Sequence, residues 1–78
     1  MIETELRDST HAWVVELLDE SDVSLEDNFL DLGGHSMLAL RLNERIADRY
    51  GAGLSLRLLF ERSLGDAVAE LAARLQAA

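Results

Sequence analysis

The stretch DNFLDLGGHSMLALRLNERIADRYG, residues 27–51, reads as an irregular segment that turns into a helix near its middle. As far as Gly34 the apolar residues are broken up by Asp, Asn and a Gly-Gly pair, all turn formers. From Ser36 onward the apolar residues recur at helical spacing. On a wheel advancing about 100° per residue, Leu38, Leu42 and Ile46 share one stripe, flanked by Ala39 and Tyr50. Gly51 follows where a left-handed cap ends a helix, so a helix over 36–50 is predicted. Met37, Leu40 and Ala47 fall off the core stripe, on the side that carries Ser36. Two large apolar side chains beside a serine, at positions a solvated face would fill with polar ones, point to a docking surface. Arg41, Arg45 and Arg49, spaced by four, read as solvated side chains whose stems cover the edge of the core. Arg49 is also favoured near the negative end of the helix.

Working outward, TELRDSTHAWVVELLDE (residues 4–20) shows Leu6, Trp13, Val14 and Leu17 at helical spacings with Leu18 beside them, and predicts a helix over about 3–19. The segment between the two helices is polar, yet Val23, Leu25, Phe29, Leu30 and Leu32 punctuate it. They read as anchors that pin a long ordered loop to the helices, with one helical turn near 25–27. Connections beyond about 12–15 residues are uncommon in compact domains and are often functional. After Gly51, GAGLS is a turn. LRLLFE is a short helix, since no second strand exists to pair with it. A last helix over 64–76 puts Leu64, Val68, Leu71, Ala72 and Leu75 on one face. The prediction is an all-α four-helix bundle, three longer helices and one short one, with the long loop between the first two.

Seventy-eight residues make a single domain over 1–78. With no cysteine there is no disulfide framework, thiolate metal site or thiol nucleophile, and two histidines are too few for a histidine cage. ESDVSLEDNFLD lacks the spacing and central glycine of a calcium loop. Asp22 and Asp27 instead suit capping and turn bonds. No metal site is expected. No apolar run approaches the ~18 residues of a membrane span, and the N-terminus does not look like a signal peptide. A cytoplasmic protein is expected. The net charge of −8 disfavours nucleic acid. Ten of the fifteen acidic residues lie in 1–31, against Arg7 alone, whereas 32–78 holds five acidic residues and six arginines. That acidity is a solvated face, with attraction to basic partner surfaces as the sharper reading.

Ser36 has three candidate roles. It suits an N-cap, whose hydroxyl accepts a backbone N–H. As a hydrolase nucleophile it fails: GGHSM is not G-x-S-x-G, no strand precedes it, and the adjacent His35 does not face it. His11 is the other candidate base and has nothing evident to orient it. No catalytic residue is assigned. As a point of attachment it is well placed. The glycines at 33 and 34 open the approach, and a phosphodiester there would set its charge at the positive end of a helix.

These residues resemble the signature of peptidyl carrier (thiolation) domains of nonribosomal peptide synthesis, in the acyl carrier superfamily. The likeness runs on through ERIADRYGAGLSLRLLFE and, more weakly, AVAELAARL, covering about 17–75. It implies an acyl-carrier-like bundle whose motif serine, here Ser36, receives covalent 4′-phosphopantetheine from coenzyme A through a phosphopantetheinyl transferase. It implies that an aminoacyl or peptidyl group, loaded by an adenylation enzyme, is then held as a thioester and presented to partner condensation or tailoring enzymes. The protein is then no enzyme, has no nucleic acid or membrane as a partner, and works as a monomer. His35 before the serine resembles the peptidyl branch, where fatty-acid and polyketide carriers usually have Asp. By analogy His35, Met37 and Leu40 are candidate partner contacts. For His35 a solvated turn residue is the plainer role. The short third helix near Leu58 is a further candidate, although core packing is the plainer role for Leu58 itself. Met37 replaces a common Leu, and Ser55 and Ser63 stand near places where the family often has prolines. Starting at Met1 and ending in LQAA, the chain is expected to be free-standing. The alternatives are a polyketide or fatty-acid acyl carrier, an unmodified helical adaptor, and a small esterase.

Overall fold

In the computed structural model, which describes residues 2–77, the chain forms four helices: α1 (Ile2–Leu18), α2 (Ser36–Tyr50), α3 (Leu56–Glu61) and α4 (Leu64–Ala77). No strand occurs among the described residues, and no helix there is long and apolar enough to cross a membrane. The predicted elements stand, with small shifts at their ends. α1 stops at Leu18, because Asp19 takes a left-handed φ of 52° and Glu20 N–H donates back to Val15 O at 3.2 Å. Asp tolerates that conformation better than most side chains. Gly51, at φ 84°, closes α2 as expected.

α1 and α4 pack on each other, α1 also packs on α2, and α3 packs on α4. Their shared interior holds Leu6 and Val14 from α1, Leu42 and Ile46 from α2, Leu59 from α3, and Leu64, Val68 and Leu71 from α4, all fully buried. Thr10 lies on the same α1 stripe, buried, with its hydroxyl unpaired. Trp13, Leu17 and Leu18 line the edge of the core.

The long loop behaves as a structural element. Phe29, from the loop, is the largest fully buried side chain, and Val23 is also buried. Backbone bonds seat the loop on the start of α4: Leu64 N–H donates to Asp27 O (2.9 Å) and Gly65 N–H to Leu25 O (2.6 Å). His11 Nε2 meets Val23 O at 2.7 Å. Two expectations are corrected here. Residues 25–27 form a single turn closed by Asp27 N–H to Ser24 O, not a turn of helix. Leu30 is not an anchor, since its side chain is 48% exposed, whereas Leu25 and Leu32 are half-buried.

The arginine stripe is also more engaged than a solvated face. Arg45 pairs with Glu16 at 3.0 Å and Arg49 with Glu5 at 2.9 Å, both across to α1. Tyr50 Oη donates to Glu5 at 3.2 Å and lies 3.1 Å from Ser9 Oγ. Hydrogen bonding to Arg49, and then to Tyr50, holds the Glu5 carboxyl below the usual glutamate range. Arg45 does the same to Glu16. All four charged side chains are substantially solvated, so each pair adds little stability.

Candidate functional site

The turn before α2 is set by two glycines with different tasks. Gly33 has φ 96°, which side-chain-bearing residues rarely adopt, and open space lies around it. Gly34 is buried, and a Cβ there would run into the Phe29 ring. The Gly34 N–H donates to Phe29 O at 3.0 Å and the Gly33 N–H to Leu30 O at 3.0 Å. Of the two, only Gly33 therefore stands in open space. Gly34 is small because the loop closes over Phe29.

Ser36 is the first residue of α2, and the N-cap is His35, in extended conformation (φ −139°, ψ 176°). The expected serine cap is corrected: the His35 carbonyl accepts from Ala39 N–H at 2.9 Å, and no side chain caps the helix. α3 and α4 differ. The Ser55 hydroxyl accepts from Leu58 N–H at 3.3 Å and the Ser63 hydroxyl from Asp66 N–H at 3.1 Å, so the serines near the family's proline positions act as caps. The hydroxyls of Ser9 and Ser24 are bonded as well. Ser36 is exposed, and among the described residues its hydroxyl has no hydrogen-bond partner. The first turn of α2 also carries no acidic residue. Its free N–H groups and the helix dipole favour an incoming phosphate at this end. A reachable hydroxyl beside an uncapped, acid-free helix start fits a phosphodiester-linked prosthetic group.

Around it, Met37 (56% exposed) and Leu40 (49%) project to solvent, and Ala47 is exposed on the same face. Ala39, Leu42 and Ile46 are buried, as the wheel requires. Leu38 and Tyr50 are partly buried against the core. His35 is exposed. Leu58 packs at the core edge, and the exposed apolar residue of α3 is Leu56. His11, committed to Val23 O, orients no nucleophile. Among the described residues no group of three or more His, Cys, Asp or Glu converges as a metal cage.

A family profile described as the phosphopantetheine attachment site matches residues 12–75. The chain belongs to this family. It is a non-catalytic carrier, and 4′-phosphopantetheine is its prosthetic group. The carrier is 45% identical over 62 residues, 80% of its length, to the dimodular nonribosomal peptide synthase of Bacillus subtilis (strain 168). It is 42% identical over 52 residues, 67% of its length, to the bassianolide nonribosomal cyclodepsipeptide synthetase of Beauveria bassiana. The carrier spans only 2% of the length of each of these relatives. Among solved structures it is similar to BlmI, a type-II acyl-carrier-protein from Streptomyces verticillus involved in bleomycin biosynthesis, with TM-score 0.80 and 28% identity over 94% of this chain and 89% of that one.

Sequence reasoning passed over Asn28 and Asn43. Asn43 clasps Leu54, its Nδ2 donating to Leu54 O (3.0 Å) and its Oδ1 accepting from Leu54 N–H (2.9 Å). Asn28 bonds to both its own turn and the far end of α3. An asparagine in a loop signals a local turn, but nothing in the sequence names its distant partners.

Proposed function

We propose that Ser36 is the attachment residue, and that the protein is one carrier domain over 1–78 that presents aminoacyl or peptidyl groups to the enzymes of nonribosomal peptide biosynthesis. The observation that carries this reading is the Ser36 hydroxyl, exposed and, among the described residues, without a partner at the start of an uncapped helix. In the modification, a phosphopantetheinyl transferase removes the hydroxyl proton and Ser36 Oγ bonds to the pantetheine-bearing phosphorus of coenzyme A. The bond from that phosphorus to the nucleotide half breaks, and 3′,5′-ADP leaves. When attached, the arm supplies a terminal thiol for a thioester to the cargo, which a chain without cysteine otherwise lacks.

The protein's own residues hold and present the attachment point. The N–H groups of the first turn of α2 face the phosphate charge. His35, Met37 and Leu40 offer a mixed polar and apolar surface to the transferase, to an adenylation enzyme, and to condensation or tailoring enzymes. Peptidyl cargo, rather than polyketide or fatty-acyl cargo, is supported by the similarity to nonribosomal synthetases and by His35 before Ser36. The carrier works as a cytoplasmic monomer, where coenzyme A is available to the modifying enzyme.

Incubation with coenzyme A and a broad-specificity transferase, followed by intact-mass measurement, tests the reading. Wild-type protein gains one phosphopantetheinyl group and Ser36→Ala gains none. Unchanged wild-type mass, or equal gain by Ser36→Ala, would overturn it. Loading of the armed protein by adenylation enzymes then tests the peptidyl cargo.

A further inference from the structure

α3 is attached to the rest of the carrier by packing on one side and by hydrogen bonds on the other. It packs on α4, but it has no comparable packing against α2, the helix that begins at Ser36. Between the loop and the C-terminal end of α3 lies an open cleft of about 550 Å³, with Leu30 and Asp31 on one wall and Phe60 and Arg62 on the other. Apolar packing therefore does not fill this gap. Asn28 bridges it. Its Nδ2 donates to Phe60 O at 3.0 Å and to Arg62 O at 2.7 Å, while its Oδ1 accepts from Leu30 N–H at 2.8 Å and Asp31 N–H at 3.2 Å.

Both donor protons and the acceptor oxygen of the amide are thus in use. One half of the side chain orders the turn that leads into Ser36, and the other half grips the last turn of α3. At the opposite end of α3, Asn43 ties α2 to Leu54 just ahead of the helix. Two amides thus add directed bonds at both ends of α3 to the packing of Leu59 in the shared core. These bonds tie the turn that carries the exposed Leu30, and the helix that carries the exposed Met37 and Leu40, to the two ends of α3, which carries the exposed Leu56.

We infer that Asn28 is a positioning residue for carrier recognition, locking the segment before Ser36 to α3 so that a partner enzyme meets both as a single surface. This rests on the reading of Ser36 as the attachment residue. The modifying transferase is the partner used to test it.

Asn28→Asp separates the two halves of the amide's role. A carboxylate keeps the acceptor for Leu30 and Asp31 but loses both donors to Phe60 and Arg62. The transferase KM for this variant is expected to rise about tenfold, the scale of one to two hydrogen bonds, with kcat within about twofold. Amide resonances of 56–61 shift together with those of 30–37 when the transferase is added to wild-type protein. In Asn28→Asp only the second set shifts. Leu75→Ala, at the far end of α4, serves as a control for general loss of stability. A wild-type KM in Asn28→Asp, or an equal rise in Leu75→Ala, overturns the positioning role while leaving Ser36 modification intact. Wild-type protein that gains no mass overturns the Ser36 reading, and this inference with it.

Discussion

Replacing Gly34 by alanine tests whether the turn that leads into Ser36 is built around the Phe29 ring. Gly34 does not have a positive φ, so alanine fits the backbone there. The difficulty is the new methyl group, which would overlap the ring. The two residues cannot simply drift apart, because the Gly34 N–H donates to Phe29 O at 3.0 Å. Either the ring moves outward or the methyl is forced in. Moving a fully buried Phe gives up part of the ~1.5–3 kcal/mol that its burial contributes. Overpacking costs ~1–3 kcal/mol.

A loss of about 2–3 kcal/mol is therefore expected, a large share of the ~3–5 kcal/mol a core of this size supplies. The corresponding fall in Tm is roughly 10–20 °C. Phe29→Leu should relieve the overlap, so the double variant Gly34→Ala/Phe29→Leu should be more stable than the sum of the single losses implies, by at least ~1 kcal/mol. Gly33→Ala has φ strain alone, about 1–2 kcal/mol, and gains nothing from Phe29→Leu. Thermal unfolding of these variants by far-ultraviolet circular dichroism closes the cycle. Strict additivity of Gly34→Ala and Phe29→Leu would refute the reasoning.

Two further outcomes are expected. Leu40→Glu should keep the helical signal of wild type and weaken reactions with partner enzymes, because Leu40 is already half in solvent. Leu42→Glu should unfold the domain by burying an unpaired charge, and equal loss of circular dichroism in both would contradict the face assignment. Glu5, like Glu16, makes a pH-sensitive contact. Its folded carboxyl is held below the usual glutamate range, so its stabilisation is present above that range and is lost as pH falls through the folded value. The Tm difference between wild type and Glu5→Gln should thus be largest near neutral pH, shrink in acid, and shrink with added salt. A difference that grew on acidification would show the sign to be wrong.

Much of the bundle is legible in the sequence because helix signals are local. The stripe of Leu38, Leu42 and Ile46, with Gly51 after it, defines α2, and the spacing of Leu64, Val68 and Leu71 defines α4. Phe29 and Val23 stand out as apolar residues in a polar loop, and both are buried. Leu30 carries the same signal and is exposed, since adjacent residues of a tight turn cannot all face inward. Thr10 reads as polar yet lies on the α1 core stripe at the same spacing as Leu6 and Val14. The arginine pairs with α1 leave no local signal, because they depend on how two helices lie against each other.

Local chemistry along the chain therefore decided that four helices form, which faces are apolar, and that one serine stands at a helix start beside unburied Met and Leu. Tertiary structure decided the rest. It left that helix start without a side-chain cap, put the Phe29 ring against Gly34, and joined Asn28 to the end of α3, more than thirty residues along the chain. The physical reason is range: periodicity and capping act within a few turns, whereas hydrogen bonds and ring contacts between distant segments exist only once packing has brought them together.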